Sequence, residues 1–212
     1  MKHGGITFHV KRDAEQLALP LSDAQANAIA LFHDLLLERA PALGLVSEFD
    51  LGRLYDRHIR DSLCAATAFL PADARAYDIG SGAGLPGLVL AATLPGVSFR
   101  LVETMRRRVA FLEYAVERLG LTNVEILARR VESLSDHAEL ADVVTARAFA
   151  PPLRSWEAAR SLLRPGGRLI YFLGGNTHLE EGELGGKKEP PATIEVRNVL
   201  DSATMLAIMS RR

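Results

Sequence analysis

The sequence predicts an α/β fold, in which a parallel sheet carries helices on both faces and follows a helical N-terminal segment. Residues 75–173 alternate short apolar runs with amphipathic stretches, and a run of glycines follows the first apolar run. Residues 1–70, in contrast, show helical periodicity alone. The 212 residues suit one domain with a small addition, which we divide into a helical extension at 1–70 and a sheet domain at 71–212.

Two helical patterns occupy the extension. Ser22 and Asp23 suit the start of the first helix, since their side chains can accept hydrogen bonds from its free amides. Apolar residues then recur at spacings of three and four, which marks one buried face. We expect Pro41 and Gly44 to end this helix. A second apolar face runs through residues 51–66.

The sheet domain contains five apolar runs that we predict as strands, at 76–79, 98–103, 124–127, 143–146 and 168–173. Helical patterns separate them, at 86–92, 109–119 and 153–163. Residues 174–192 are rich in Gly and Glu, which predicts a flexible loop. The runs 193–199 and 205–209 suit a closing hairpin.

Composition excludes several classes of protein. Hydrophobic residues make up 48% and charged residues 24%, which is ordinary for a globular chain. Cys64 is the only cysteine, so neither a disulfide framework nor a multi-cysteine zinc site is expected, and we predict no metal. Neither a membrane span nor a signal peptide is apparent, and we expect a cytoplasmic protein. The formal net charge is −1, so any nucleic-acid binding must come from a local patch.

The glycine-rich stretch between Tyr77 and Gly87 is the most informative. Its G-x-G-x-x-G pattern allows a dinucleotide, but Asp78 would repel a pyrophosphate there. A carboxylate at that position better suits the cationic amino group and sulfonium of S-adenosylmethionine. Glu103 lies 23 residues after Gly80, at the usual place for an acid that binds ribose hydroxyls. The structural alternative is a helix cap at Asp78 and a solvated Glu103.

Several motifs in order make the interpretation more specific. They are Arg57–Ser62, the extended G-x-G-x-G-L-P-G turn, Arg106–Leu112, Arg130–Glu132 and Ala146–Ala150. The turn at Leu162–Leu169, after such a glycine turn, resembles the later part of the S-adenosylmethionine-dependent methyltransferase fold. Across residues 20–173 the chain resembles the glucose-inhibited division protein B (RsmG) family. The resemblance implies a class I, Rossmann-like methyltransferase fold. It also implies methyl transfer from S-adenosylmethionine to N7 of a guanine in 16S ribosomal RNA.

The resemblance and the glycine turn together give the candidate site residues. The cofactor-binding candidates are Asp78, Gly80, Gly82, Gly84, Leu85, Glu103, Val131, Glu132 and Arg147. The catalytic candidates are Arg147 and His58, although His58 also suits a hydrogen-bonded position on the apolar face of its helix. The RNA-binding candidates are Arg107, Arg108 and Arg130. We expect a monomer whose partner is 16S ribosomal RNA or the small ribosomal subunit.

The chemistry implied by the resemblance requires few catalytic groups. Guanine N7 carries a lone pair and no proton, so a methyl transfer to it needs no general base. The run Arg106–Arg108 opens a predicted helix, where the helix dipole disfavours cations, and this favours contact with phosphate. Two alternatives remain. The family usually has a lysine where Gly174 stands, which allows a non-catalytic cofactor- and RNA-binding homologue. An NAD-dependent oxidoreductase is the other.

Overall fold

The computed structural model describes residues 4–134, 139–174, 179, 193–200 and 205–211. Apart from Gly174 and Leu179, the predicted flexible loop at 174–192 lies outside the described residues. Within the described ranges, every helix is too short or too polar to cross a lipid bilayer.

The N-terminal part is helical, as predicted. Its elements are α1 (Gly4–Gln16), α2 (Asp23–Leu43), α3 (Glu48–Leu51), a π-helical turn (Tyr55–Ile59) and α4 (Arg60–Ala66). Ser22 forms the predicted N-cap of α2, in a capping box with Gln25. The expectation that Pro41 ends α2 was wrong, because the helix continues through it to Leu43. A proline in the last turn removes a single backbone donor, and Gly44, at φ 58°, then closes the helix.

The described residues form one sheet of seven strands, and all five predicted strands and the closing hairpin are confirmed. The strands are β1 (Arg75–Ile79), β2 (Ser98–Val102), β3 (Val124–Leu127), β4 (Ala141–Ala146), β5 (Leu163–Leu173), β6 (Thr193–Asn198) and β7 (Met205–Ser210). Their order is β3-β2-β1-β4-β5-β7-β6. The first five strands pair in parallel, while β7 pairs antiparallel with both β5 and β6.

Helices cover the sheet on both faces. They are α5 (Gly87–Thr93), α6 (Arg106–Leu119) and α7 (Pro152–Arg160), and a 3₁₀ turn spans Val131–Ser133. One buried cluster joins α2 to α5 and α6, with Phe32, Leu36, Leu88 and Phe111 among its members. A second cluster, which contains Trp156 of α7, lies on the other face. The helical extension and the sheet domain therefore share one core.

The sheet topology fixes where a ligand can bind. Chain order runs outward from β1 to β3 on one side and from β4 to β5 on the other, so the direction of winding changes between β1 and β4. At such a point the connections leave to opposite faces and open a crevice at the carboxyl ends of the strands. The glycine turn follows β1 directly and therefore lies at this crevice.

Candidate functional site

The glycine turn folds tightly against the end of β2. The backbone amides of Gly80 and Ser81 donate to the Val102 carbonyl at 2.9 and 3.1 Å. Gly80 has φ 69°, a conformation that side chains other than glycine rarely adopt. A Cβ atom there would lie 2.6 Å from Cδ2 of Phe149. Both the backbone conformation and the space above it therefore require glycine at position 80.

Glu103 lies at the end of β2 and binds the turn. One carboxylate oxygen accepts from the amides of Thr104 and Met105 at 2.7 and 2.9 Å, and the other accepts from the Gly82 amide at 3.0 Å. Burial would raise the pKa of Glu103, but these amides outweigh it and hold that pKa below its usual value. Glu103 is 4% exposed and stays ionised at the edge of the crevice.

Asp78 lies beneath the turn. Its Oδ1 accepts a hydrogen bond from the Thr145 hydroxyl at 2.7 Å, and its Oδ2 lies where a methyl group on Gly87 would approach it to 2.6 Å. Burial raises the pKa of Asp78 to about 6, against the lowering effect of the Thr145 hydrogen bond. Asp78 therefore places a carboxyl that is mostly ionised at neutral pH under the crevice rather than on its wall.

Two hollows meet over the glycine turn. The first is bordered by Glu103, Thr104, Arg129, Val131 and Phe149. The second is bordered by Ser47, Asp50, His58, Leu85 and Arg147. Gly80, Arg108 and Ala148 border both. The helical extension thus supplies one wall of the second hollow, and the sheet domain supplies the rest.

The loop after β4 sets the boundary between the hollows. Ala148 has φ 50°, which costs about 1–2 kcal/mol for a residue with a side chain. This conformation lays the Phe149 ring against Gly80. Backbone strain of this kind persists where the surrounding structure imposes it, often at functional sites.

Arg147 directly follows β4, and its side chain contacts the helical extension. Its Nη2 donates to the Arg57 carbonyl at 2.6 Å and lies 3.8 Å from Asp61 Oδ2, while its guanidinium lies 5.6 Å from the centre of the Phe172 ring. Burial lowers the pKa of Arg147, yet an arginine stays charged. Its Nη1 is buried and has no hydrogen-bond partner among the described residues, which leaves a donor available at the second hollow.

His58 lies in the π-helical turn and borders the second hollow. Burial, and then the charge of Arg147, lower its pKa to about 4. Its Nε2 is buried and has no hydrogen-bond partner in the described part of the chain. At neutral pH His58 is therefore an uncharged side chain that faces a ligand space. π-Turns inside helices are frequent at functional sites.

The arginine candidates occupy different places. Arg108 borders both hollows, with Nη1 3.5 Å from Glu103 Oε2, so it lies at the cofactor crevice. Arg107 is exposed, and its guanidinium reaches the neighbourhood of Gly44. Arg130 is exposed and pairs with Glu132 at 3.4 Å. Contact of any of them with RNA stays a prediction.

The structure brings most of the predicted cofactor residues together, with some exceptions. The cofactor candidates that border neither hollow are Asp78 and Gly84, which are buried, and Glu132, which is exposed. Of the RNA-binding candidates, Arg107 and Arg130 border neither hollow and are exposed. Sequence reasoning missed Ser47, Asp50 and Thr145, and it favoured a surface position for Arg129, which is exposed and borders the first hollow. Asp50 directly precedes the second helical pattern at 51–66, and its polarity beside that apolar face was the available signal.

Similar solved structures share this fold. A methyltransferase from Aquifex aeolicus described as SAM-dependent superposes with a TM-score of 0.53 at 17% identity, covering 75% of this chain and 92% of that one. A SAM-dependent O-methyltransferase from Thermotoga maritima gives a TM-score of 0.59 at 19% identity, covering 77% and 70%. At these identities the similarity establishes the class I methyltransferase fold, which confirms the predicted fold class.

Sequence relatives are closer. Ribosomal RNA small subunit methyltransferase G of Thermobifida fusca is 38% identical over 191 residues, covering 81% of this chain and 79% of that protein. The protein of the same name from Wolinella succinogenes is 36% identical over 186 residues, covering 86% and 90%. Residues 25–203 match the model of the GidB family, described as rRNA small subunit methyltransferase G. The resemblance seen in the motifs is thereby confirmed, and the chain belongs to the GidB family of ribosomal RNA small subunit methyltransferases.

Proposed function

We propose that this chain transfers the methyl group of S-adenosylmethionine to N7 of a guanine in 16S ribosomal RNA. One observation carries the proposal. Two hollows meet over Gly80 at the point where the sheet reverses its winding. An ionised glutamate borders one, and the other is bordered by an arginine whose Nη1 has no hydrogen-bond partner within the described ranges. The family membership supports the same activity.

The first hollow fits the nucleoside of the cofactor. Glu103 presents an ionised carboxylate at its edge, which suits ribose hydroxyls, and Val131 and Phe149 offer apolar surface for the adenine. The buried charge of Asp78 beneath the turn favours a cation above it. The same charge disfavours a pyrophosphate, which argues against the NAD-dependent alternative.

The second hollow fits the remaining half of the cofactor and the target base. Arg147 Nη1, which has no partner in the part of the chain that the structure describes, is a donor suited to a carboxylate or to the O6 edge of a guanine. When bound, S-adenosylmethionine supplies an electrophilic methyl group on a sulfonium. The guanine N7 lone pair forms the new C–N bond as the C–S bond breaks, S-adenosylhomocysteine leaves, and the purine gains the positive charge.

The residues of the site contribute alignment rather than proton transfer. His58 has a pKa of about 4, so at neutral pH it does not donate a proton, and N7 has none to lose. Asp50, which lies in the same wall, supplies a negative charge close to the developing positive charge on the purine. Positioning of this kind accounts for large rate gains when the reacting atoms are held in line.

We place the reaction in the cytoplasm, where ribosomal RNA is found, with the chain acting as a monomer on the RNA or the small subunit. Sedimentation of the purified chain at increasing concentration tests the monomer. A dimer that supplies residues to either hollow would contradict it.

The decisive experiment incubates the purified chain with radiolabelled S-adenosylmethionine and unmodified 16S RNA, both naked and assembled into small subunits. We expect label in one guanine, identified as N7-methylguanine by mass mapping. Label at another atom, or in no RNA, contradicts the proposal. Tight cofactor binding without any transfer would instead identify the non-catalytic alternative suggested by Gly174, and calorimetry on the same preparation detects it.

A further inference from the structure

Phe49 is the most exposed of the large apolar side chains in the described part of the chain, with 75% of its surface accessible. It lies in α3, a single turn of helix at the edge of the second hollow. An isolated exposed aromatic ring needs no explanation on its own. The residues around Phe49, however, indicate a role for its exposed ring.

The ring already carries a stacked cation. The guanidinium carbon of Arg53 lies 4.7 Å from the centre of the Phe49 ring, and Arg53 is itself exposed. One face of the ring is thus paired with a planar cation, in the arrangement that cation–π attraction favours.

The backbone that presents Phe49 is held in place. Ser47 Oγ accepts a hydrogen bond from the Asp50 amide at 3.2 Å and donates to Asp50 Oδ2 at 2.6 Å. Ser47 and Asp50 both border the second hollow, so their neighbour Phe49 lies at its rim. A base next to the target guanine in an RNA strand would reach this rim when the guanine enters the hollow.

Charge around the rim suits the same ligand. Arg57 lies 3.5 Å from Asp50, and Arg107 reaches Gly44, which precedes the segment that borders the hollow. Arginine binds phosphate oxygens through paired donors. An aromatic ring among arginines is the arrangement that proteins use to bind unpaired bases, since every base has a face to stack and a phosphate beside it.

We propose that Phe49 and Arg53 form a stacking platform for an unpaired base that flanks the target guanine. The inference rests on the proposed function, because it assigns part of the RNA site of that same reaction. It concerns residues that border neither hollow and that the cofactor does not need.

The first test compares variants by steady-state methylation of small subunits or 16S RNA. Phe49→Ala is expected to raise KM for the RNA by roughly 5- to 100-fold, the loss expected for one stacked base, with the affinity for S-adenosylhomocysteine unchanged. Phe49→Trp is expected to retain the wild-type KM, because it keeps an aromatic face. Phe8→Ala is the matched control, since Phe8 is 64% exposed on α1 and outside the rim. An unchanged KM in Phe49→Ala overturns the platform.

The second test does not depend on methyl transfer. Trp156 is the only native tryptophan and is 3% exposed, so the added emission of Phe49→Trp reports on the rim. Titration with a single-stranded RNA oligonucleotide is expected to quench this emission, and Arg53→Ala on the same background to weaken the quenching. Absence of quenching by any RNA overturns the platform. Quenching without methylation retains the platform and rejects the proposed function, so the two failures are distinguishable.

Discussion

Glu103 Oε2 accepts a hydrogen bond from the backbone amide of Gly82 at 3.0 Å, so the acid at the end of β2 fastens the turn at the end of β1. The same carboxylate accepts two further hydrogen bonds, from the backbone amides of Thr104 and Met105, which directly follow it in the chain. Glu103 therefore shapes the crevice before any ribose reaches it.

We expect Glu103→Gln to weaken cofactor binding and destabilise the fold together. The amide NH₂ would face a backbone donor, which leaves a buried donor unsatisfied at a cost of about 1–3 kcal/mol. Calorimetry should show a Kd for S-adenosylhomocysteine raised by tenfold or more, and a thermal melt should show a lower Tm. Glu113→Gln, on the exposed side of α6, is the control and should change neither. A variant with wild-type affinity would remove Glu103 from the site.

The pH dependence of cofactor binding should report on Asp78. Its pKa in the folded chain is raised to about 6, and only the ionised form attracts a cationic ligand. Affinity should be constant from pH 8 to about 6.5 and fall below about 6, by at most tenfold per pH unit. His58, with a pKa of about 4, stays neutral over most of this range. Asp78→Asn should bind more weakly with a flat profile, and a wild-type profile without a fall would count against the role of this charge.

The raised pKa of Asp78 makes stability depend on pH in the direction opposite to cofactor affinity. Because the folded chain binds the Asp78 proton more tightly than the unfolded chain does, protonation favours the folded state. The contribution of Asp78 to the free energy of unfolding therefore rises as the pH falls through 6 toward 4. Lowering the pH therefore raises the contribution of Asp78 to the free energy of unfolding, while it lowers the affinity for the cofactor.

Arg147→Lys should impair the reaction although it keeps the charge. Arginine reaches the Arg57 carbonyl with Nη2 and still presents Nη1 to the second hollow, and a lysine has no fixed fork to do both. We expect a loss of about tenfold or more in kcat/KM for RNA methylation. Arg118→Lys, at the end of α6, serves as the control. Equal activity in both variants would show that a point charge suffices at position 147.

Gly80→Ala and Phe149→Ala should be coupled. The alanine at 80 meets both an unfavourable φ and the Phe149 ring, so we expect the free energy of unfolding to fall by about 2 kcal/mol or more. Phe149→Ala on that background should remove the steric part and leave about 1 kcal/mol from the backbone. Gly96→Ala is the control, since a Cβ there has no neighbour within 4 Å. Additive effects in chemical denaturation would mean that the ring moves aside freely.

The sequence was a good guide to local structure. The strand before the glycine turn and the N-cap at Ser22 depend on neighbours in the chain, and the structure confirms them. Pro86 departs slightly from expectation, because it is the N-cap of α5 rather than its first helical residue. Such boundaries depend on one or two dihedral angles that composition does not determine.

What the sequence did not reveal depends on distant neighbours. The Thr145 partner of Asp78 lies on β4, and the register of two parallel strands, rather than any motif, brings them together. The π-turn around His58 leaves no mark in an apolar pattern that reads as an ordinary helix. Arg129 is exposed, and the path of the loop after β3, rather than any motif, places it beside the first hollow.

The ring of Phe149 over Gly80 also bears on inhibitor discovery. Small fragments would occupy the nucleoside side and the base side independently, because the two hollows share only Gly80, Arg108 and Ala148 among their bordering residues. A compound that links two such fragments has to pass the Phe149 ring, and a linker that displaces the ring loses part of its affinity. A linker that stacks on the Phe149 ring without moving it would retain the binding free energy of both fragments.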